Sequence, residues 1–317
     1  MLYQRASDLV LDDIFLDATC LITGAALILK LEGFNPAGSI KLKTALSLLD
    51  AGERQGLLAP GGRVIESSSG NLGIALSSVC ATRGYHFTCV IDPNTARHSV
   101  TLMRAFGATV TEVSDRDSNG GFLQTRIEYI QRRIAADPGL FWPNQYASPA
   151  NPRAHYERTA AAILKEFPDV DYLFAGAGTS GTLMGCAAHF REYSPTTKII
   201  AVDTIGSVTF GTPPGRRFIP GLGMSRRPEI LRPELTDEVI WIAERDAVRM
   251  CRRVAAELGV AVGGSTGSVL AAVTQRQASL RPGATAVAIC PDGGDRYLDT
   301  VYDDDWVRGR FGEQDGE

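Results

Sequence analysis

Short apolar runs that close on Gly or Ser alternate along this chain with longer stretches of helical spacing. The runs are ALILKLEG (26–33), RVIESSSG (63–70), FTCVID (87–92), ATVTEV (108–113), DYLFAGAG (171–178), KIIAVD (198–203) and AVAICPDGG (286–294). Being apolar on both faces, they suit strands of a parallel sheet covered by helices on either side. Between them, apolar periodicity predicts helices over 43–57, 72–83, 99–106, 123–136, 152–167, 182–193, 244–258 and 268–280. Strand, turn and helix repeating in this way imply α/β architecture. A chain of 317 residues exceeds one compact core, so two domains are expected.

Two segments fall outside the repeat. Residues 141–153, FWPNQYASPANPR, are rich in Pro and Asn and read as a crossing between domains. Residues 205–228 hold five Gly and four Pro and read as a long ordered loop, a feature that in compact domains is often functional. The charged tail after Trp306 is expected to fray.

Composition narrows the function classes. Charge is nearly balanced, 32 basic against 36 acidic residues, with no basic run, so a nucleic-acid partner is not expected. The six cysteines, Cys20, Cys80, Cys89, Cys186, Cys251 and Cys290, form no CxxC pair and read as reduced core thiols. Acidic residues stand near the start where a signal peptide needs positive charge. No apolar run approaches the ~20 residues of a membrane span. A cytoplasmic protein without membrane or metal partners is expected.

Four strand-to-helix loops can carry chemistry, since ligands gather at the carboxyl ends of strands in open α/β sheets. In NPAGSIK (35–41), Lys41 stands at the opening of a helix, where desolvation and the positive helix end favour the neutral, nucleophilic amine. Lys43 is expected to be an ordinary solvated lysine. SSSGNLG (67–73) offers hydroxyls, a carboxamide and a helix N-terminus as a carboxylate cradle, or else a plain helix cap. GAGTSGT (176–182) follows an apolar strand and suits a phosphate; it lacks the lysine of a nucleoside-triphosphate loop. Its G-x-G leaves a dinucleotide-binding module open. GGSTGS (263–268), taken alone, reads as a helix cap.

Together and in this order, the four loops resemble those of the fold-type II pyridoxal-phosphate enzymes, the tryptophan-synthase β-like family that includes cysteine synthase and cystathionine β-synthase. The resemblance implies two three-layer α/β domains with pyridoxal 5′-phosphate in the cleft between them. Residues 1–37 with 147–317 would form the large domain. Residues 38–146 would form a smaller mobile domain carrying the Schiff-base lysine and the Ser/Asn loop. By the same resemblance Lys41 is the catalytic lysine. Gly178, Thr179, Ser180, Gly181 and Thr182 hold the cofactor phosphate, and Ser265 meets the pyridine nitrogen. Ser68, Ser69, Asn71 and Gln145 contact the substrate carboxylate, Asn71 also the cofactor, and Gly221 lies beside the ring.

GGFLQTRI (120–127), WPNQY (142–146), GSVTFG (206–211), PGLGMSRRPEIL (220–231) and PDGGDRYLDTVYDDDW (291–306) are similar to the diaminopropionate-pathway branch of that family. Its members join O-phospho-L-serine to the amine of L-glutamate, giving N-(2-amino-2-carboxyethyl)-L-glutamate for siderophore or peptide-antibiotic assembly. Arg126 and Tyr146 become candidate substrate contacts by this likeness, and a homodimer is implied. The chain departs from the sulfur enzymes. Asp17-Ala18-Thr19-Cys20-Leu21 replaces their G-x-T-P-L entry, and Lys41-Leu42-Lys43 replaces Lys-Asp-Arg. Nothing resembles the haem or nucleotide tail of a full-length cystathionine β-synthase. Cysteine synthesis, from O-acetylserine or O-phosphoserine and sulfide, is the alternative reaction.

Overall fold

The computed structural model describes residues 2–118 and 120–312. In chain order the elements are β1 (Phe15–Asp17), β2 (Ala26–Leu31), α1 (Lys41–Arg54), β3 (Arg63–Ser67), α2 (Asn71–Arg83), β4 (His86–Ile91), α3 (Arg97–Ala105), β5 (Thr109–Glu112), α4 (Leu123–Ala136) and β6 (Leu140–Phe141). There follow α5 (Ala150–Ala154), a π-helical turn (His155–Ala160), α6 (Ala161–Glu166), β7 (Tyr172–Gly176), α7 (Gly181–Tyr193) and β8 (Lys198–Thr204). The chain continues through β9 (Glu238–Ile242), α8 (Glu244–Leu258), α9 (Gly264–Arg276), β10 (Thr285–Cys290) and α10 (Asp304–Phe311).

The strands form two sheets. One runs β1-β2-β10-β7-β8-β9, parallel except for β1 at its edge; the other, β5-β4-β3-β6, is parallel throughout. The central strands are buried almost end to end, as a sheet covered on both faces requires. This is the α/β class that the alternation predicts. Three strands, all at a sheet edge, escape the apolar-run criterion. β1 and β9 are half-exposed edge strands with charged residues, and β6 is two residues long.

Helix starts depart more than strands do. α1 begins at Lys41 and α9 at Gly264, two and four residues before the periodic apolar positions. In α9 the cause is close packing: a side chain at Gly267 would meet the Ala247 carbonyl oxygen 2.2 Å away, so small residues are helical and buried there. The single helix expected over 152–167 is interrupted by the π turn. α7 comes so close to it that a side chain at Gly185 would lie 2.1 Å from the Pro152 oxygen. Segment 205–228 contains neither helix nor strand.

As far as Gly312 the tail does not fray after Trp306. Asp303 accepts the Trp306 N–H at 2.6 Å and starts α10, while Phe311 packs edge-on against Trp306 and Phe218. Residues 313–317 lie outside the described residues. All six cysteines are free thiols, five of them buried, whereas Cys20 is exposed. Among the described residues no helix is long and apolar enough to cross a membrane, and no cluster of metal-ligating side chains occurs.

Lys43 overturns its expectation most sharply. It is 2% exposed, because α1 lays this position against β2 and the π turn. Its amine lies 2.7 Å from Asp12 and 2.7 Å from Glu32 and reaches Thr159 at 3.4 Å. Lys30, fully buried, shares Glu32 at 3.1 Å, and Arg158 holds the outer oxygen of Asp12 at 2.6 Å. Removing one cation from such a network strands a buried carboxylate. Lys43→Met should therefore lower the unfolding free energy by about 3–5 kcal/mol, read from urea denaturation. A change within experimental error would show that Asp12 and Glu32 re-pair without it.

Candidate functional site

Every strand of the main parallel set ends at the same edge, so the loops after β2, β7 and β10 come together. The loop carrying Lys41 is built by Asn35. Its carboxamide donates to the Glu32 and Ser39 carbonyls, both at 2.9 Å, and accepts from Ala37 N–H at 3.0 Å. Gly38 makes the turn at φ +63°. The loop is then pinned across the edge, with Ile40 N–H donating to the Pro291 carbonyl at 2.8 Å and Ser39 bridging Asp292. Lys41 emerges as the first residue of α1, half-buried. Burial brings its amine down to about 8, against the opposing pull of the Asp292 charge.

The loop after β7 takes an unusual path. Ser180 adopts φ 69° without being glycine, and its hydroxyl is buried with no hydrogen-bond partner among the described residues. Thr179 accepts from the Asn151 amide at 3.1 Å, and Thr182 pairs with His155 Nε2 at 3.3 Å. A side chain at Gly181 would strike Asn151 Oδ1, 1.9 Å away, and one at Gly178 the Gly221 carbonyl, 2.8 Å away. Gly221, at φ +99°, stands 3.8 Å from Ser265 by the same measure, and Ser265 is buried in the first turn of α9. The structure thus brings Lys41, the 178–182 loop, Gly221 and Ser265 to one edge.

Asn151 and His155 carry no motif and were missed by sequence reading. His155 is fully buried, and its Nε2 also lies 3.0 Å from Thr44 Oγ1, one turn along from Lys41. Burial, with Lys41 and Lys43 nearby, holds its imidazole far below the usual range and therefore neutral.

The facing wall comes from the four-stranded sheet. Ser68 Oγ already accepts the Gly73 N–H at 2.9 Å, so its oxygen serves as a cap for α2, the plainer of its two readings. Ser69 is half-buried. Asn71 opens α2 and crosses the cleft, donating to Asp292 Oδ2 at 2.7 Å and accepting from Arg296. Gln145 and Tyr146 both donate to the Ser67 carbonyl, at 2.9 and 3.0 Å. Burial lifts the Tyr146 phenol to about 12. Arg126 is 7% exposed and 3.3 Å from Asp92, yet its Nε and Nη1 make no hydrogen bond among the described residues.

Glu66, also missed, organises this wall. Its carboxylate is fully buried and accepts from Trp142 Nε1 at 3.0 Å, Ser67 N–H at 2.8 Å and Gln145 N–H at 3.1 Å. A Glu inside an apolar strand gives no hint that two of its three donors lie some eighty residues away.

Residues 17–292 match the family described as pyridoxal-phosphate dependent enzyme. The chain belongs to that family. Its cofactor is accordingly pyridoxal 5′-phosphate. Two similar relatives are both named N-(2-amino-2-carboxyethyl)-L-glutamate synthase. That of Ralstonia nicotianae is 42% identical over 88% of this chain and 82% of its own. That of Cupriavidus metallidurans is 43% identical over 88% and 83%. Among solved structures, O-ureido-L-serine synthase superposes with a TM-score of 0.89 at 30% identity, covering 99% of this chain and 98% of the other. The architecture is the tryptophan-synthase β-like one.

The edge of this pyridoxal-phosphate enzyme fits the cofactor on its own geometry. The orphaned Ser180 hydroxyl, the bare Gly178 and Gly181, and the N–H groups opening α7 fit a phosphate that carries its own acceptors.

Glu66 makes the site pH-dependent. Burial raises its carboxyl to about 7 in the folded protein, above the ordinary carboxylate range. Its stabilising contribution is complete below about pH 4.5 and fades as pH rises through 7. The stability of the wild type relative to Glu66→Gln should fall by up to roughly 3 kcal/mol over that interval and then level off. Urea midpoints across the range check this; parallel curves would refute it.

Proposed function

We propose that this enzyme replaces a leaving group on the β-carbon of a serine-derived amino acid. Its reaction joins O-phospho-L-serine and L-glutamate, giving N-(2-amino-2-carboxyethyl)-L-glutamate and phosphate on the route to 2,3-diaminopropionate for siderophores or peptide natural products. The observation that carries the reading is Arg126, a buried guanidinium paired with Asp92 through Nη1 and with its Nε left without a hydrogen bond among the described residues, beside Tyr146 and the Ser67 loop, which suits an anionic substrate. The two relatives bearing the name of that synthase support the same choice.

In this reading Thr179, Ser180, Gly181, Thr182 and Gly178 hold the phosphate of the cofactor, with Asn151 and His155 bracing the loop from behind. When bound, pyridoxal phosphate supplies the electron sink that lets the bonds at Cα and Cβ break. Lys41 takes the Cα proton, since burial leaves a large share of its amine neutral near pH 8. Ser265 places a hydroxyl, rather than a carboxylate, opposite the ring nitrogen, which favours expulsion at Cβ over transamination. Ser69, Asn71 and Gln145, with the Ser68 hydroxyl as a further donor, hold the substrate carboxylate. Tyr146 and Arg126 face the second anionic group, and Gly221 lines the ring. Residues 38–146 act as the smaller unit that closes on the rest, residues 1–37 and 147–317, and excludes water. The working form is a cytoplasmic homodimer.

Purified enzyme given O-phospho-L-serine with either glutamate or sulfide should yield the glutamate adduct, identified by mass spectrometry. Cysteine formation without that adduct would establish the sulfur reaction instead. Lys41→Ala should lose the visible absorption band of the bound cofactor and lower kcat by at least about 10³-fold; retention of the band would overturn the assignment of Lys41.

A further inference from the structure

We propose that Asp292 is a positioning residue shared by Lys41 and Asn71, its carboxylate orienting the amine on one side of the cleft and the carboxamide on the other. The inference rests on Lys41 acting as proposed above. Asp292 stands two residues beyond β10, and the backbone fixes it against the lysine loop through the Ser39 bridge and the Ile40–Pro291 hydrogen bond. It is tied to the Ser265 loop as well, its carbonyl accepting Gly263 N–H at 3.3 Å.

The side chain is 2% exposed. Oδ2 accepts from Asn71 at 2.7 Å and from the Tyr297 hydroxyl at 2.6 Å. Oδ1 is buried with no hydrogen-bond partner among the described residues. It occupies the space a side chain on Gly263 would need, 2.0 Å from that position, so the glycine is what admits the carboxylate. A carboxylate enclosed in this way requires a cation. Arg296 is committed to the Asn71 and Ala37 oxygens. Lys41, whose amine makes no hydrogen bond among the described residues, is the other cation near it, and the charges of Arg296 and Lys41 oppose the burial that raises the Asp292 carboxyl.

The other groups around the carboxylate do not compete for protons near neutrality. Cys251 of α8 and Cys290 of β10 are both pushed by burial to about 12. Tyr297 and Tyr302 are raised in the same way. On the far side of Lys41, buried His155 stays neutral. Lys41 is thus the group whose protonation the Asp292 charge controls. The arrangement also couples the two walls. When Asn71 turns to a substrate carboxylate it leaves Oδ2, and the less satisfied carboxylate holds the Lys41 proton more strongly.

An anion beside an amine stabilises the ammonium, so removing it lowers the amine's proton affinity. In the full chain freed of cofactor, the pH midpoint for acylation of Lys41, followed by peptide mass spectrometry, should fall by about one unit in Asp292→Asn. In the holoenzyme the ascending limb of the kcat profile should move the same way. Tyr297→Phe, which leaves the charge with one donor fewer, should move both midpoints to higher pH, and it decides the matter alone if Asp292→Asn does not regain the visible band. Unshifted midpoints in a variant that regains the band would overturn the proposal while leaving the Lys41 assignment intact. A Lys41→Ala enzyme that keeps the band would remove both.

Discussion

Parallel strands deliver their C-terminal ends to one edge of a sheet, but the loops leaving that edge must be pinned to one another before their side chains can meet. Here the pin is backbone. Ile40 donates to Pro291, Ser39 bridges Asp292, and the Asp292 carbonyl receives Gly263. Three loops from distant parts of the chain are fixed by groups that every residue carries. The side chains of Lys41 and Ser265 inherit their placement from that lattice, Asn71 joins it through the Asp292 side chain, and at Gly38, Gly178, Gly181 and Gly263 a β-carbon would meet a neighbouring atom at 2.8 Å or less.

The strands were legible because a parallel sheet buried on both faces writes itself as continuous apolar runs. Helix starts were less so: α9 opens on small and polar residues that are buried by close packing rather than by an apolar stripe, and in α1 a single leucine lies between two lysines. The Lys, Ser/Asn and Gly/Thr loops could be picked out by motif. Their supports could not. Glu66, Asn151 and His155 are ordinary polar residues whose partners lie far along the chain, so only the folded geometry gives them meaning. Ser68 lay on the boundary: its motif pointed to a ligand, and its oxygen is spent on the helix it precedes.

Two lysines a single residue apart show how burial without and with partners diverges. Lys43 has carboxylates from two other segments around it in the interior. Lys41, at the helix mouth, has one carboxylate at longer range and loses part of its proton affinity to burial. The difference comes from which face of α1 each occupies. A sequence reading that ranks lysines by nearness to a motif therefore misjudged Lys43.

The π-helical turn between α5 and α6 has a further consequence. Such a turn accommodates one more residue than a regular helix, which offsets the faces before and after it by about 100°. That extra residue lies in one continuous rod that presents Asn151 to the Thr179 loop and Arg158 to the ions around Lys43, with His155 and Thr159, bonded to each other at 3.2 Å, between these two sets. Losing a single residue from this turn would leave the helix more regular and yet rotate one of the two sets out of register, so here a defect in the spiral is what allows one rod to address two neighbours.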